Sequence, residues 1–216
     1  MIHPTNKDEK KGVLIVFEGT DGTGKSTQQK LLADYLNSLG HQVVTTREPT
    51  DGPFGQKIRN LYVNRGNYTA EDELSLFLND RREHVETLLT PALNEGKIIL
   101  CDRYFLSTVA YQGAIGFDIE DLLQRNSFAP DPDIALLFQA PLETGRHRIT
   151  SGRGDTLNDF EKSESLVRVA EIFRSINRSY IQPVDATGSI EEVHQRVVSL
   201  VLPLLSGLPG PSLAQE

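Results

Sequence analysis

The sequence predicts an α/β protein, with a five-stranded parallel sheet flanked by helices on both faces. Apolar runs rich in Val, Ile and Leu alternate with stretches of helical periodicity, and no linker-like break or repeat interrupts them. The first strand candidate, Val13–Glu18, leads through a glycine-rich turn into a helix over Lys25–Leu39. A second strand at Gln42–Arg47 precedes a short helix near Phe54–Val63 and a long one from Glu71 to about Asn94. The third, Lys97–Asp102, precedes helices at Phe105–Gln112 and Ile119–Arg125. The fourth, Ile134–Gln139, precedes helical patterns at Pro141–Ile149 and Asp159–Tyr180. A short strand around Pro183–Asp185 and a helix over Ile190–Leu205 complete the pattern. Residues 12–205 therefore read as one domain, between a polar tail at 1–11 and a Gly/Pro-rich tail at 206–216.

Composition narrows the function classes. Hydrophobic content of 38% and charged content of 24% are those of a soluble globular chain. A formal charge of −8 argues against a nonspecific nucleic-acid binder. No apolar stretch approaches the ~20 residues of a membrane span, and Met1–Asp8 has no apolar signal-peptide core. Cys101 is the only cysteine, so no intrachain disulfide can form, and its run Ile98-Ile99-Leu100-Cys101 reads as buried. A reducing cytoplasmic compartment is the expectation. His41, His84, His147 and His194 show no metal-ligand spacing.

The most specific local signal is Gly19-Thr20-Asp21-Gly22-Thr23-Gly24-Lys25-Ser26, directly after the first strand. It fits G-x-x-x-x-G-K-[ST], the P-loop, in the strand–loop–helix setting that the motif needs. Glycines let successive N–H groups face one concavity, and the helix N-terminus adds partial positive charge. Lys25 then supplies an ammonium to the β- and γ-phosphates of a nucleoside triphosphate, and Ser26 a hydroxyl to Mg²⁺. Gly19 through Thr27 form the expected triphosphate cradle, within a P-loop NTPase three-layer sandwich. Ligands of such sheets bind beyond the carboxyl ends of the strands, where Glu18, Arg47 and Asp102 lie.

A second cluster at the same sheet edge narrows the class. Arg47-Glu48-Pro49 ends the second strand, and Asp102-Arg103-Tyr104 ends the third and runs into Ser107-Thr108-Val109-Ala110-Tyr111-Gln112-Gly113. Phe77 and Arg81 share a face of the long helix, four residues apart. Taken singly, Phe77 suits a core, Arg81 a surface and Asp102 a helix cap; together they suit a phosphate and a flat base.

These residues carry a resemblance to the thymidylate kinase family, in its bacterial form. Phe17–Gln28, Arg47-Glu48-Pro49 and Asp102–Gly113 match its motifs, and the similarity runs over about residues 13–203 in one register. The resemblance implies a nucleoside monophosphate kinase fold and transfer of the γ-phosphoryl of ATP to dTMP, with Mg²⁺. It places Phe77 on the thymine ring, Arg81 on a ring carbonyl, and Ser107, Thr108 and Gln112 in the same pocket. Tyr111 would lie against the deoxyribose, and Arg103 would hold the acceptor phosphate, with Arg47 and Pro49 nearby. Asp21 would contact the sugar 3′-hydroxyl and help organise Lys25. The metal would take Ser26 and Asp102, with Asp21 and Glu161 as further candidates. The resemblance also implies a cis Glu48–Pro49 peptide and a homodimer.

The resemblance further implies a basic lid at about 146–158. Position 23 of the P-loop, where some relatives carry an arginine, is Thr23. The glycine-flanked run Arg146-His147-Arg148-Ile149-Thr150-Ser151-Gly152-Arg153 supplies the alternative. Arg153 is the first candidate to reach the phosphates, Arg148 the second and Arg146 the third. Asn158 takes a position where relatives carry an aspartate, three residues before Glu161. Lys25, Arg153, Asp21 and Arg103 are the expected catalytic residues. A kinase of another nucleotide or of a deoxynucleoside, or a P-loop ATPase or switch, stays open. Glu48 could serve as the base that a nucleoside kinase needs, although Arg103 would then lack a purpose.

Overall fold

Strand β1 (Val13–Gly19) is buried at every residue because it lies in the middle of the sheet. In this computed structural model, residues 12–63, 68–141, 143–144 and 163–206 are described. After β1 come α1 (Lys25–Ser38), β2 (Val43–Arg47), α2 (Pro53–Val63) and α3 (Ala70–His84). One π-helical turn, Val85–Leu89, joins α3 to α4 (Thr90–Asn94). Then follow β3 (Ile98–Asp102), α5 (Phe105–Ala114), α6 (Ile119–Arg125) and β4 (Ile134–Gln139). Helix α7 (Ser163–Ser175), β5 (Ile181–Asp185) and α8 (Ile190–Leu205) close the order.

The sheet order is β2-β3-β1-β4-β5, and every pairing is parallel. Side chains alternate faces along each strand, so β1 splits its residues between two cores. Leu14 and Val16 meet Ile99, Cys101, Ala135 and Leu137, and then Leu74, Leu89, Val109 and Phe173 from helices α3, the π turn, α5 and α7. Val13, Ile15 and Phe17 face the other way, onto Leu32 and Leu36 of α1 and Val193, Val197 and Val201 of α8. Phe17 stacks on Phe138 across β1 and β4, ring centroids 5.9 Å apart.

Among the boundaries that differ from the sequence reading, three have a clear physical cause. The helix expected over Glu71–Asn94 is interrupted by the wider turn at Val85–Leu89. Pro91 follows at once; it has no N–H for a bond to Thr87, and a wider turn makes room for its ring. Strand β5 is longer than Pro183–Asp185, and Pro183 is tolerated because β5 is an edge strand. Helix α7 stops at Ser175 rather than Tyr180, where a turn bonding Ile181 N to Arg178 O (3.0 Å) starts β5. The helix expected at Pro141–Ile149 and the start of that at Asp159 lie largely outside the described residues, as do both tails.

Candidate active site

The P-loop follows from the end of β1. Gly19 has φ +129°, and a Cβ there would fall 2.4 Å from the Phe138 carbonyl oxygen. Gly24 takes the left-handed conformation (φ 94°) immediately before α1. Lys25 opens the helix and is buried; its Nζ donates to the Thr20 carbonyl at 2.8 Å. Thr23 Oγ1 donates to the same oxygen at 2.9 Å. Burial, then repulsion from Arg103, lowers the Lys25 pKa to about 8, against the pull of Asp21, Asp102 and Glu18.

Arg103 is the only non-glycine residue with positive φ (67°) among the described residues. That backbone turn, with Arg103 N bonded to Phe17 O at 2.9 Å, directs the guanidinium toward the P-loop. Its Nη2 donates to Asp21 Oδ1 at 2.6 Å and its Nη1 to Ser107 Oγ at 3.0 Å. Tyr111 packs under the guanidinium, 5.2 Å from ring centroid to Cζ, and its hydroxyl donates to Asp21 Oδ2 at 3.2 Å. Burial disfavours the Asp21 carboxylate, but Arg103 and Lys25 outweigh it and hold its pKa well below the usual range.

Glu18 lies beneath this group, wholly buried. It accepts from the backbone N–H groups of Tyr104 (3.0 Å) and Ser107 (3.2 Å), and closely from the Ser107 hydroxyl. It thereby satisfies donors at the start of α5. Burial raises its pKa to about 7, although Ser107 and Arg103 oppose the shift.

Asp102, at the end of β3, accepts the Ser26 hydroxyl on Oδ2 in a very close contact. Its Oδ1 is buried with no hydrogen-bond partner. A hydroxyl beside a carboxylate with an unsatisfied oxygen is a donor set that fits Mg²⁺. Asp21 has both oxygens engaged by Arg103 and Tyr111, so it fits that role less well. Among the described residues no group of three or more His, Cys, Asp or Glu could hold a metal by itself.

The second half of the site is built around Arg81. Its side chain is 1% exposed and is held by Glu48, whose Oε2 lies 2.5 Å from Nη2 and 2.9 Å from Nε. Glu48 precedes a cis bond to Pro49, as expected. Asp80, next to Arg81 on α3, accepts from Thr50 N (2.9 Å) and Thr50 Oγ1 (2.6 Å), which ties the loop after β2 to α3. Glu48 cannot act as a free base, because Arg81 occupies Oε2 and His84 Nδ1 donates to Oε1 at 3.0 Å.

One cavity of about 550 Å³ joins these parts. It brings together the P-loop residues Asp21, Gly22, Gly24, Lys25, Ser26 and Thr27 with Asp102 and Arg103. Phe77, Arg81, Ser107, Thr108 and Tyr111 line the same space, as do Arg47 and Pro49. Arg47 is exposed and its Nη2 lies 2.9 Å from Asp51 Oδ1, so it stands at the rim. Gln112 is buried one turn beyond Thr108; its Nε2 donates to Glu73 Oε1 at 3.2 Å, and its Oε1 has no partner. Gly19 and Thr20 border a separate cavity of about 340 Å³ on the other side of the P-loop, with Phe138, Ala140, Phe173 and Thr187. Thr23 is buried within the loop. Arg146, Arg148, Arg153, Asn158 and Glu161 lie outside the described residues.

Sequence reasoning missed the 340 Å³ cavity, the lining residues Tyr62 and Glu73, and the anchors His84 and Asn126; it placed Glu18 at the ligand edge of the sheet but not as an anchor of α5. Glu73 was within reach, since it precedes Phe77 by four residues and so extends the Phe77/Arg81 face. No helix of the described residues is long and apolar enough to cross a membrane.

Comparison with known proteins agrees with this arrangement. Residues 17–197 match the family described as Thymidylate kinase. The thymidylate kinase of Desulfotalea psychrophila is 59% identical over 194 residues, covering 90% of this chain and 96% of that protein. That of Xanthomonas euvesicatoria is 44% identical, covering 91% and 88%, and a probable thymidylate kinase of Pyrococcus horikoshii is 41% identical, covering 92% and 100%. The crystal structure of thymidylate kinase from Ehrlichia chaffeensis superposes with a TM-score of 0.71 at 30% identity, covering 88% of this chain and 98% of that one. Matched to the family over residues 17–197 and 59% identical to one member over 90% of its length, the chain belongs to the thymidylate kinase family.

Proposed function

We propose that this chain transfers the γ-phosphoryl of ATP to dTMP, giving dTDP and ADP. The observation that carries the reading is the shared cavity: Lys25 at one end, Arg103 between, Phe77 and Arg81 at the other. An ATPase or a switch needs the first group and has no use for the rest. The acceptor phosphate sits against Arg103, a fork suited to a dianion, and the thymine ring lies on Phe77. Arg81 donates to a ring carbonyl, and Gln112, buried one turn beyond Thr108 just outside the cavity lining with its Oε1 unpartnered, is the candidate to accept the ring N–H. Thr108 and Ser107 border the ring, and Tyr111 and Asp21 face the sugar. The donor triphosphate takes the P-loop, and its base enters the 340 Å³ cavity beyond Gly19 and Thr20.

An anionic oxygen of the acceptor phosphate attacks the γ-phosphorus, and the bond to the β–γ bridging oxygen breaks. No general base is required, which agrees with Glu48 being committed to Arg81 and His84. Catalysis then rests on positioning and on positive charge around the migrating group. Lys25 supplies part of that charge, and Asp21 holds Arg103 in place. Ser26 and Asp102 would hold Mg²⁺, which when bound neutralises phosphate oxygens. Arg153, with Arg148 and Arg146 behind it, completes the neutralisation from the lid. We place the enzyme in the cytoplasm as a homodimer on family resemblance.

The test is ADP release from ATP with Mg²⁺ across dTMP, dUMP, UMP, CMP, GMP, AMP and thymidine, against a blank without acceptor. Strong stimulation by dTMP supports the reading; equal rates with and without acceptor would overturn it.

A further inference from the structure

The guanidinium of Arg81 is almost fully committed to the protein. It has five N–H donors, of which Glu48 takes the Nε proton and one on Nη2 (2.9 and 2.5 Å). Thr108 Oγ1 takes the second Nη2 proton at 3.0 Å. Asn126 Oδ1 takes one Nη1 proton at 2.5 Å. One Nη1 proton remains, on a side chain that is 1% exposed and lines the 550 Å³ cavity.

Each anchor is itself fixed. Asn126 caps the end of α6, with its backbone N–H on the carbonyls of Leu122 and Leu123 at 3.2 Å. Its Nδ2 donates to Leu122 O at 2.8 Å, so its Oδ1 must face Arg81, and the amide cannot flip without setting NH₂ against the guanidinium. Glu48 is braced from behind by His84, whose Nδ1 donates to Oε1 while its Nε2 lies 2.8 Å from Thr46 Oγ1. Arg81, Glu48, His84 and Asn126 are all at most 5% exposed, so none of these bonds competes with bulk water.

We propose that Asn126 and Glu48 are positioning residues for acceptor specificity: together they hold Arg81 so that a single Nη1–H points at the base. A lone, immobile donor demands an acceptor at the matching ring position. A keto group satisfies it, whereas an amino group sets donor against donor and leaves both unpaired, a mismatch that buried sites reject strongly. A guanidinium free to swing could offer another edge or withdraw. This inference rests on the proposed function, and concerns how that pocket selects its base.

The experiment compares dTMP with the 5-methyl-dCMP analogue, which keeps the methyl group and the C2 carbonyl but replaces the C4 carbonyl with an amine and lacks the N3 proton. Asn126→Ala is expected to raise KM for dTMP about tenfold, to leave kcat within about threefold, and to cut the preference for dTMP over the analogue about tenfold. Asn126→Asp keeps an acceptor oxygen toward Nη1 but loses the Nδ2 donor to Leu122 O, and is expected to recover part of both quantities. Glu48→Gln, near-isosteric but neutral, is the independent arm and should shift KM and preference in the same direction as Asn126→Ala. Circular dichroism and the melting temperature establish that each variant is folded. A folded Asn126→Ala or Glu48→Gln with wild-type KM and preference would overturn the inference. A wild-type enzyme that dTMP does not stimulate would instead overturn the proposed function, and this inference with it.

Discussion

Arg103 Nη2 lies 2.6 Å from Asp21 Oδ1, a contact that joins the turn after β3 to the P-loop across 82 residues of chain. The same guanidinium reaches Ser107 through Nη1, so it is oriented from two sides. A lysine would supply the charge but not the fork. Arg103→Lys is therefore expected to lower kcat/KM for dTMP by at least about a hundredfold while leaving the KM for ATP within about threefold, read from initial-rate kinetics.

The Lys25 ammonium is buried against the Thr20 carbonyl, and burial lowers its pKa from 10.5 to about 8. The sign of its contribution follows from linkage: between about pH 8 and 10.5 the unfolded chain binds the proton and the folded chain does not. The charged form is thus disfavoured in the fold, and below pH 8 it costs stability. Lys25→Met should abolish turnover by roughly a thousandfold or more yet raise the melting temperature at pH 7. The Thr20 carbonyl keeps its bond from Thr23 Oγ1, so no buried acceptor is orphaned. A lowered melting temperature would contradict this assignment.

Glu18 gives the opposite pH signature. Its folded pKa of about 7 stands above the ordinary 4.5, so between those values the folded state holds a proton that the unfolded state has lost. Its stabilising contribution is complete below pH 4.5 and is lost as pH rises through 7, by on the order of 3 kcal/mol. Glu18→Gln should flatten this decline, measured as the difference in denaturant midpoint between pH 5 and pH 7.5 for the two proteins. Equal declines would show that Glu18 is ionised throughout.

Most of the site could be read in the sequence because its residues are grouped in short motifs at strand ends. Lys25 and Ser26, Arg103, Ser107, Thr108 and Tyr111 were each legible, and the fold brings them to one cavity. What stayed hidden is held by long-range pairing. Asn126 lies 45 positions from Arg81 and Glu48 lies 33 away, so no local spacing reveals either contact. Glu18 ends an apolar strand, and a carboxylate in that setting was a signal of burial that only Tyr104 and Ser107 explain. The 340 Å³ cavity is drawn from several elements, and no one run of sequence outlines it.

Phe77 is half-buried and lines the cavity one turn before Arg81 on α3. Phe77→Ala should raise the KM for dTMP about tenfold or more, since a stacked base loses roughly 1–3 kcal/mol, with kcat changed far less. Unchanged acceptor kinetics would remove Phe77 from the site.

The lid assignment is tested separately. Arg153→Ala is expected to depress kcat by at least about a hundredfold with little change in acceptor KM, in steady-state assays. Near-normal turnover would pass the role to Arg148 or Arg146.

The central claim is that the cavity between Lys25 and Arg103 carries phosphoryl transfer between two nucleotides rather than to water. The most direct measurement follows the label from ATP carrying a radioactive γ-phosphate, with dTMP and Mg²⁺ present, by chromatography. The account predicts label in dTDP, with little in orthophosphate. Label appearing in orthophosphate alone, at the same rate with or without dTMP, would contradict it.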